Sequence, residues 1–232
     1  MTGTTVTSGT TGTTGMTGFD LSTYLVTDSA SAGSRGVLDI VRAATSGGVT
    51  AVQLREKNAS ARGFYELVLR AAELTAGRAA LIVNDRVDVF LAARAAGARV
   101  DGVHVGQSDL PVTLVRRLIG PAAILGLTAN TPAQLRAVAA LPDRTVDYLG
   151  VGVIRATRTK PDHPEPLGTA GFGALAATTP LPCVAIGGVT VADTVPLRRA
   201  GAAGLAVASA VCAAEDPQAA ARELAHAWRA AA

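Results

Sequence analysis

Gln53, Arg55 and Lys57 alternate at the end of a short apolar run, residues 51–54. Side chains two apart share one face of an extended strand. If the strand continues, the spacing aims an amide and two cations at one ligand. That set suits a polyphosphate or a polar heterocycle. The structural alternative is interior packing for Gln53 and surface ion pairs for the cations. A second cluster joins Asn84-Asp85 to Gln107-Ser108-Asp109, each after its own apolar run. Two carboxylates on neighbouring loops hold Mg2+ together with substrate phosphates and waters, or work as a general acid/base pair. Asp85 has a competing use as the cap of a helix beginning at Arg86. A third cluster, Thr157, Thr159 and Lys160, sits in a long loop, 155–168, ordered by Pro161, Pro164 and Pro166. Its hydroxyls and ammonium can bind a carboxylate or phosphate, whereas Arg158, Asp162, His163 and Glu165 read by type as solvated. Lastly, Gly187-Gly188 and Ala208-Ser209 follow two late apolar runs. Glycine lets main-chain N–H groups approach an anion closely.

These residues need a frame that brings them to one place. Eight apolar runs punctuate the chain, at 24–27, 51–54, 80–83, 102–105, 124–127, 148–151, 183–186 and 204–207. Most are Val/Ile/Leu-rich without alternation, as parallel strands buried on both faces are. Between them lie Ala- and Leu-rich helical stretches at 36–46, 61–76, 87–96, 111–119, 132–140, 172–178, 191–200 and 219–231. Ser60 and Asp193 read as helix caps, Pro111 and Pro132 suit a first turn, and Gly47, Gly77, Gly97 and Gly201 mark helix ends. Eight strand–helix units predict an α/β protein that is a single (β/α)8 TIM barrel. A doubly wound sheet is the alternative, but no G-x-G-x-x-G follows the first strand. A barrel carries its active site at the C-terminal strand ends, where each cluster above falls, with Asp28 and Thr128 completing the ring. The opposite ends read as blander. The loops after strands seven and eight commonly form a phosphate site, so the barrel offers two anion sites, one with a metal.

The rest of the composition excludes other classes. The net charge of +3 is scattered and aromatics make up 3%, so no stacking platform for nucleic acid is present. No stretch reaches the roughly 18 apolar residues of a membrane span. Cys183 and Cys212 are the two cysteines and read as small buried hydrophobes rather than a disulfide frame. His104 reads as a barrel-lining core residue, His163 and His226 as surface. Residues 1–18 hold nine Thr and five Gly. They cannot bury enough surface to offset their ordering entropy, and they lack the basic start and apolar stretch of a secretory signal. The expected organisation is a flexible tail over 1–18 and a catalytic barrel over 19–232, with Met16 as an alternative start.

Nine stretches carry a family likeness: YLVTD (24–28), VQLREK (52–57), LIVNDR (81–86), DGVHVGQSDLP (101–111), ILGLTANT (124–131), DYLGVGVIRATRTK (147–160), PLG (166–168), VAIGGVT (184–190) and GAAGLAVASAV (201–211). In these the chain resembles the thiamine-phosphate synthase (thiamine-phosphate pyrophosphorylase) family. The resemblance implies a cytoplasmic (β/α)8 transferase of small-molecule substrates. It would join a hydroxymethylpyrimidine diphosphate to a thiazole phosphate, giving thiamine phosphate and pyrophosphate. Carried over to this chain, Gln53, Arg55, Lys57, Asn84 and Lys160 would bind the pyrimidine diphosphate, with Arg55, Lys57 and Lys160 catalytic. Asp85 and Asp109 would bind Mg2+. Thr128, where Ser is usual, would contact the diphosphate side. Thr157 and Thr159 would contact the thiazole phosphate, and Gly188, Ala208 and Ser209 its phosphate. Leu54, Glu56, Arg158 and Gly187 flank these positions and belong to the same substrate-binding segments.

The chain departs from the family pattern in three places. The interval from Asp85 to Asp109 is 24 residues, longer than usual, with the excess in an Ala-rich helix end. Val153 stands where Pro is common, and Thr128 replaces Ser. Two other functions use the same barrel: a thiazole tautomerase-like enzyme, which would not need Asp85, Asp109, Lys57 and Lys160 together, and a non-catalytic phosphate-ligand sensor, which would lack part of the diphosphate set.

Overall fold

A strand apolar on both faces must be covered on both, and a closed parallel barrel does so with an inner and an outer core. The computed structural model of the protein describes residues 19–157 and 165–231. Its strands are β1 (Thr23–Val26), β2 (Ala51–Leu54), β3 (Ala80–Asn84), β4 (Gly102–Val105), β5 (Ile124–Thr128), β6 (Tyr148–Gly152), β7 (Cys183–Ile186) and β8 (Gly204–Val207). They are parallel, pair in chain order, and β1 closes on β8. The closed order excludes the doubly wound sheet. The helices are α1 (Ser29–Ala32), α2 (Val37–Gly47), α3 (Ala61–Thr75), α4 (Val87–Ala95), α5 (Val112–Ile119), α6 (Pro132–Ala139), α7 (Gly168–Ala176), α8 (Thr194–Arg199), α9 (Ser209–Cys212) and α10 (Pro217–Ala230). Among the described residues no helix is long and apolar enough to cross a membrane.

The strands alternate after all, between two kinds of apolar surroundings. One parity, including Leu25, Val52, Leu54, Leu81, Val83, Leu125, Leu149 and Leu205, faces the helices and forms the large outer core. The other, including Tyr24, Val26, Ala51, Ile82, Tyr148, Val184 and Ala206, fills the barrel. By the same parity Gln53, His104 and Thr128 belong inside. Strand ends agree with the sequence reading to within one residue. Helices differ where the caps differ. Asp216 accepts from Ala219 N at 2.9 Å with Pro217 next, so α10 starts two residues earlier than expected. Ser60 caps α3 through Gly63 N, as expected. Asp193 does not cap α8. It closes a capping box with Thr190 around the 3-10 turn Val191–Asp193 instead. Pro111 precedes α5 rather than entering it. Gly47 ends α2 within the helix, and Gly48 takes the left-handed position. The cysteines are free and buried, and His226 is exposed.

The N-terminal strand ends are less bland than their sequence suggests. Arg116 of α5 bonds the carbonyls of Gly120, Ala123 and Thr145 and the Asp147 carboxylate, at 2.6–3.0 Å. Asp147 also accepts from Leu125 N at 2.7 Å, tying β5 to β6. Asp101 takes Leu81 N in the same way. The expectations for the tail over 1–18, and for Arg158, Thr159, Lys160 and His163, lie outside the described residues.

Candidate active site

The two carboxylates lie near each other. Asp85 follows β3 in left-handed backbone, φ +61°, uncommon for a residue with a Cβ. Its N–H donates to His104 O at 2.8 Å. Asp109 is fixed by Gly106 N, which donates to Oδ2 at 2.6 Å. The Asp85 carboxyl lies within electrostatic reach of Asp109, Asn84 and Arg55. Burial first, and the Asp109 charge second, push Asp85 up to about 6, while Asn84 and the Arg55 charge pull the other way. Two half-buried carboxylates within such reach are short of positive charge. The all-oxygen donor set fits a small hard dication that takes its remaining ligands from phosphate and water. The capping alternative for Asp85 does not hold: Arg86 is the residue preceding α4, no side chain caps that helix, and Arg86 pairs with Asp88.

The cations arrive differently from the sequence expectation. β2 ends at Leu54, so Gln53, Arg55 and Lys57 do not share one strand face. Arg55 is half-buried, its N–H held by Thr27 Oγ1 at 2.9 Å, and it lies close enough to act on the Asp85 charge. Lys57 is exposed. Among the described residues neither cation is in an ion pair. Leu54 packs in the outer core, so its side chain serves the fold. Glu56 is half-buried, with Oε1 enclosed and without a hydrogen-bond partner. Burial raises its pKa, against a hydrogen bond from Ser29, with the Asp28 charge raising it further and Arg55 lowering it.

Across the barrel interior runs a chain of neutral polar groups. Gln53 Nε2 donates to Tyr24 Oη at 2.9 Å, and Tyr24 Oη lies 2.8 Å from Tyr148 Oη. Tyr148 Oη is 2.9 Å from His104 Nδ1, and His104 Nε2 is 2.9 Å from Thr128 Oγ1. Burial holds His104 down at about 4 and Tyr24 up at about 12. His104 does line the barrel, as expected. Tyr24 and Tyr148 are the residues sequence reasoning missed. The available signal is glycine: a Cβ at Gly126 would overlap Tyr148 Oη and His104 Nδ1, and one at Gly150 would lie 3.1 Å from His104 Cε1. The outer end of Thr128 is approached by Gln107, whose Nε2 donates to the Thr128 carbonyl at 2.6 Å.

The far side of the mouth is built by close main-chain approach. Beyond β6 the chain crosses to β7, with Ile154 N and Arg155 N donating to Gly187 O at 3.0 and 2.9 Å. Gly187 and Gly188 have φ +91° and +66°. A Cβ on Gly187 would overlap Val153, and one on Gly188 would lie 2.8 Å from Arg155 Cβ. Glycine here is thus demanded by packing as well as by any anion. The peptide bond into Val153 is cis. Arg155 bonds the buried Asp193 carboxylate, which also accepts from Thr190 N and Oγ1. Ala208 joins β8 to the four-residue α9, which Ser209 opens. Thr157 is half-buried at the start of the long loop.

A family model described as thiamine monophosphate synthase matches residues 23–211. A thiamine-phosphate synthase from Psychrobacter sp. (strain PRwf-1) is 45% identical over 204 residues, 88% of this chain and 93% of that protein. One from Chloroflexus aurantiacus is 48% identical over 206 residues, 88% and 91% of the two chains. The solved thiamine phosphate pyrophosphorylase from Pyrococcus furiosus superposes with a TM-score of 0.79 at 32% identity, over 91% of this chain and 96% of that one.

Proposed function

The chain belongs to the thiamine monophosphate synthase family, and from that premise we propose how its barrel mouth performs the family's transfer. The enzyme is a transferase acting on small molecules, with thiamine phosphate as its product. Our reading divides the mouth in two. Gln53 and Asn84 orient a pyrimidine diphosphate, with Thr128 on its diphosphate side. Arg55, Lys57 and Lys160 neutralise its diphosphate, with Leu54, Glu56 and Arg158 in the same segments. Thr157 and Thr159 contact a thiazole phosphate whose phosphate lies against Gly187, Gly188, Ala208 and Ser209. Asp85 and Asp109 would hold Mg2+, which when bound supplies charge neutralisation to the pyrophosphate.

The C–O bond of the pyrimidine methylene breaks, and its electron pair leaves with pyrophosphate. The methylene cation is delocalised into the aminopyrimidine ring, and the thiazole nitrogen closes a new C–N bond. No proton need move and no protein nucleophile is required. The chain's contribution is therefore positioning and stabilisation of the leaving group. The reading also carries a cytoplasmic enzyme. What supports the metal assignment is the placement of Asp85 and Asp109 after neighbouring strands β3 and β4, near enough for the Asp109 charge to raise the Asp85 carboxyl, with Arg55 in reach. Asp85→Ala and Asp109→Ala should each lower magnesium-dependent pyrophosphate release by about a hundredfold or more. Wild-type turnover with wild-type magnesium dependence in either variant would contradict the assignment.

A further inference from the structure

The interior chain of hydrogen bonds has a direction. Gln53 meets Tyr24 through Nε2, an amide nitrogen that only donates. Tyr24 Oη therefore accepts there, and its single proton goes to Tyr148 Oη, 2.8 Å away. Tyr148, already accepting, turns its proton to His104 Nδ1 at 2.9 Å. His104 Nδ1, accepting from Tyr148, carries no proton, so the ring proton sits on Nε2, whose neighbour is the Thr128 hydroxyl. Nε2–H then donates to Thr128 Oγ1 at 2.9 Å. The Thr128 hydroxyl proton is left over and has the barrel mouth to point to.

We propose that Tyr24, Tyr148 and His104 form a one-way relay that fixes Thr128 as a hydrogen-bond donor to the ligand and couples its orientation to that of Gln53. The relay makes Thr128 select an acceptor, such as a diphosphate oxygen or an unprotonated ring nitrogen, over an amino group. The space for it is built in. Gly126 and Gly150 stand where any Cβ would push into Tyr148 or His104. The Tyr24 and Tyr148 rings also pack tilted with centroids 6.0 Å apart, and Tyr148 packs tilted against His104 at 5.5 Å, so the rings have little freedom to turn away. The three are positioning residues: only Gln53 and Thr128, at the two ends, reach substrate. This last step rests on the diphosphate-side reading of Thr128, whereas the direction of the relay rests on the Gln53 amide presenting Nε2 to Tyr24.

Two measurements separate these. With three histidines in the chain, a long-range 1H–15N correlation spectrum of 15N-histidine-labelled protein resolves His104 and reports which nitrogen is protonated. The relay requires Nε2–H. An Nδ1–H tautomer, which the reverse direction with Gln53 accepting through Oε1 demands, overturns it, as does an equal mixture. Steady-state kinetics then tests the mouth end. Tyr148→Phe removes the donor to Nδ1. It should mix the His104 tautomers and raise KM for the pyrimidine diphosphate roughly tenfold, with KM for the thiazole phosphate unchanged. Thr128→Val should reproduce the KM effect and Thr128→Ser should not, which keeps the test open if Tyr148→Phe folds poorly. Unchanged KM in Thr128→Val, or an equal rise for both substrates, overturns the donor role. Failure of the underlying functional reading looks different: wild-type protein would then release no pyrophosphate at all.

Discussion

Asp85 carries an electrostatic cost that a dication would remove. Its carboxyl is raised from 3.8 to about 6 by burial and by the facing Asp109. A carboxyl raised on folding adds stability below its unfolded pKa and loses that contribution as pH climbs through the folded one. At pH 7.5 Asp85 has lost its proton and the Asp109 charge repels it. Mg2+ should therefore raise the melting temperature at pH 7.5 and scarcely at pH 5, where the proton already occupies Asp85. Thermal melts with and without Mg2+ at the two pH values check this, and equal shifts would contradict it. Asp85 and Asp109 stand out in the sequence as acidic residues in the loops that follow two consecutive apolar runs. Tyr24 and Tyr148 do not. A single tyrosine in an apolar run reads as core, and its partner lies 124 residues away. The strand-face grouping of Gln53, Arg55 and Lys57 fails for a local reason: β2 stops at Leu54, one residue before the first cation.

At the level of elements, the two ends of the barrel do different work. The N-terminal end is fastened by Arg116 and Asp147, whose side chains are only 13% and 11% exposed. Arg116→Ala takes the cation from a nearly buried carboxylate, which keeps only Leu125 N, and removes a donor from three carbonyls. It should cost about 3 kcal/mol and lower the melting temperature by roughly 6–12 °C, with kcat/KM nearly unchanged in the protein that remains folded. At the C-terminal end, Gly188→Ala meets both unfavourable backbone, at φ +66°, and the Arg155 main chain. Gly201→Ala is the control, because its φ is +90° with open space around it. Both should lose about 1–2 kcal/mol from the left-handed position. KM for the thiazole phosphate should rise in Gly188→Ala alone, as steady-state kinetics would report. Sequence marks Gly187-Gly188 as a candidate anion site. It does not show that the crossing from β6 to β7 needs them, because that contact depends on the closed sheet.

The whole barrel is legible because each of its eight units repeats the same short apolar run and helical stretch, with caps and glycines between. Its closure is not written in any one unit. It follows from outer residues such as Leu25 and Leu205 sharing one core while Tyr24, Ile82, Tyr148 and Val184 share another. Closure brings loops that are distant along the chain to one end of the barrel, so the proposed anion-binding groups and the two carboxylates lie on the same rim. The most direct test of that arrangement is pyrophosphate release by the purified protein given pyrimidine diphosphate, thiazole phosphate and Mg2+, with each omitted in turn and with EDTA added. Release is expected only when all three are present. Equal release from the pyrimidine diphosphate alone, or release untouched by EDTA, would contradict the proposed transfer.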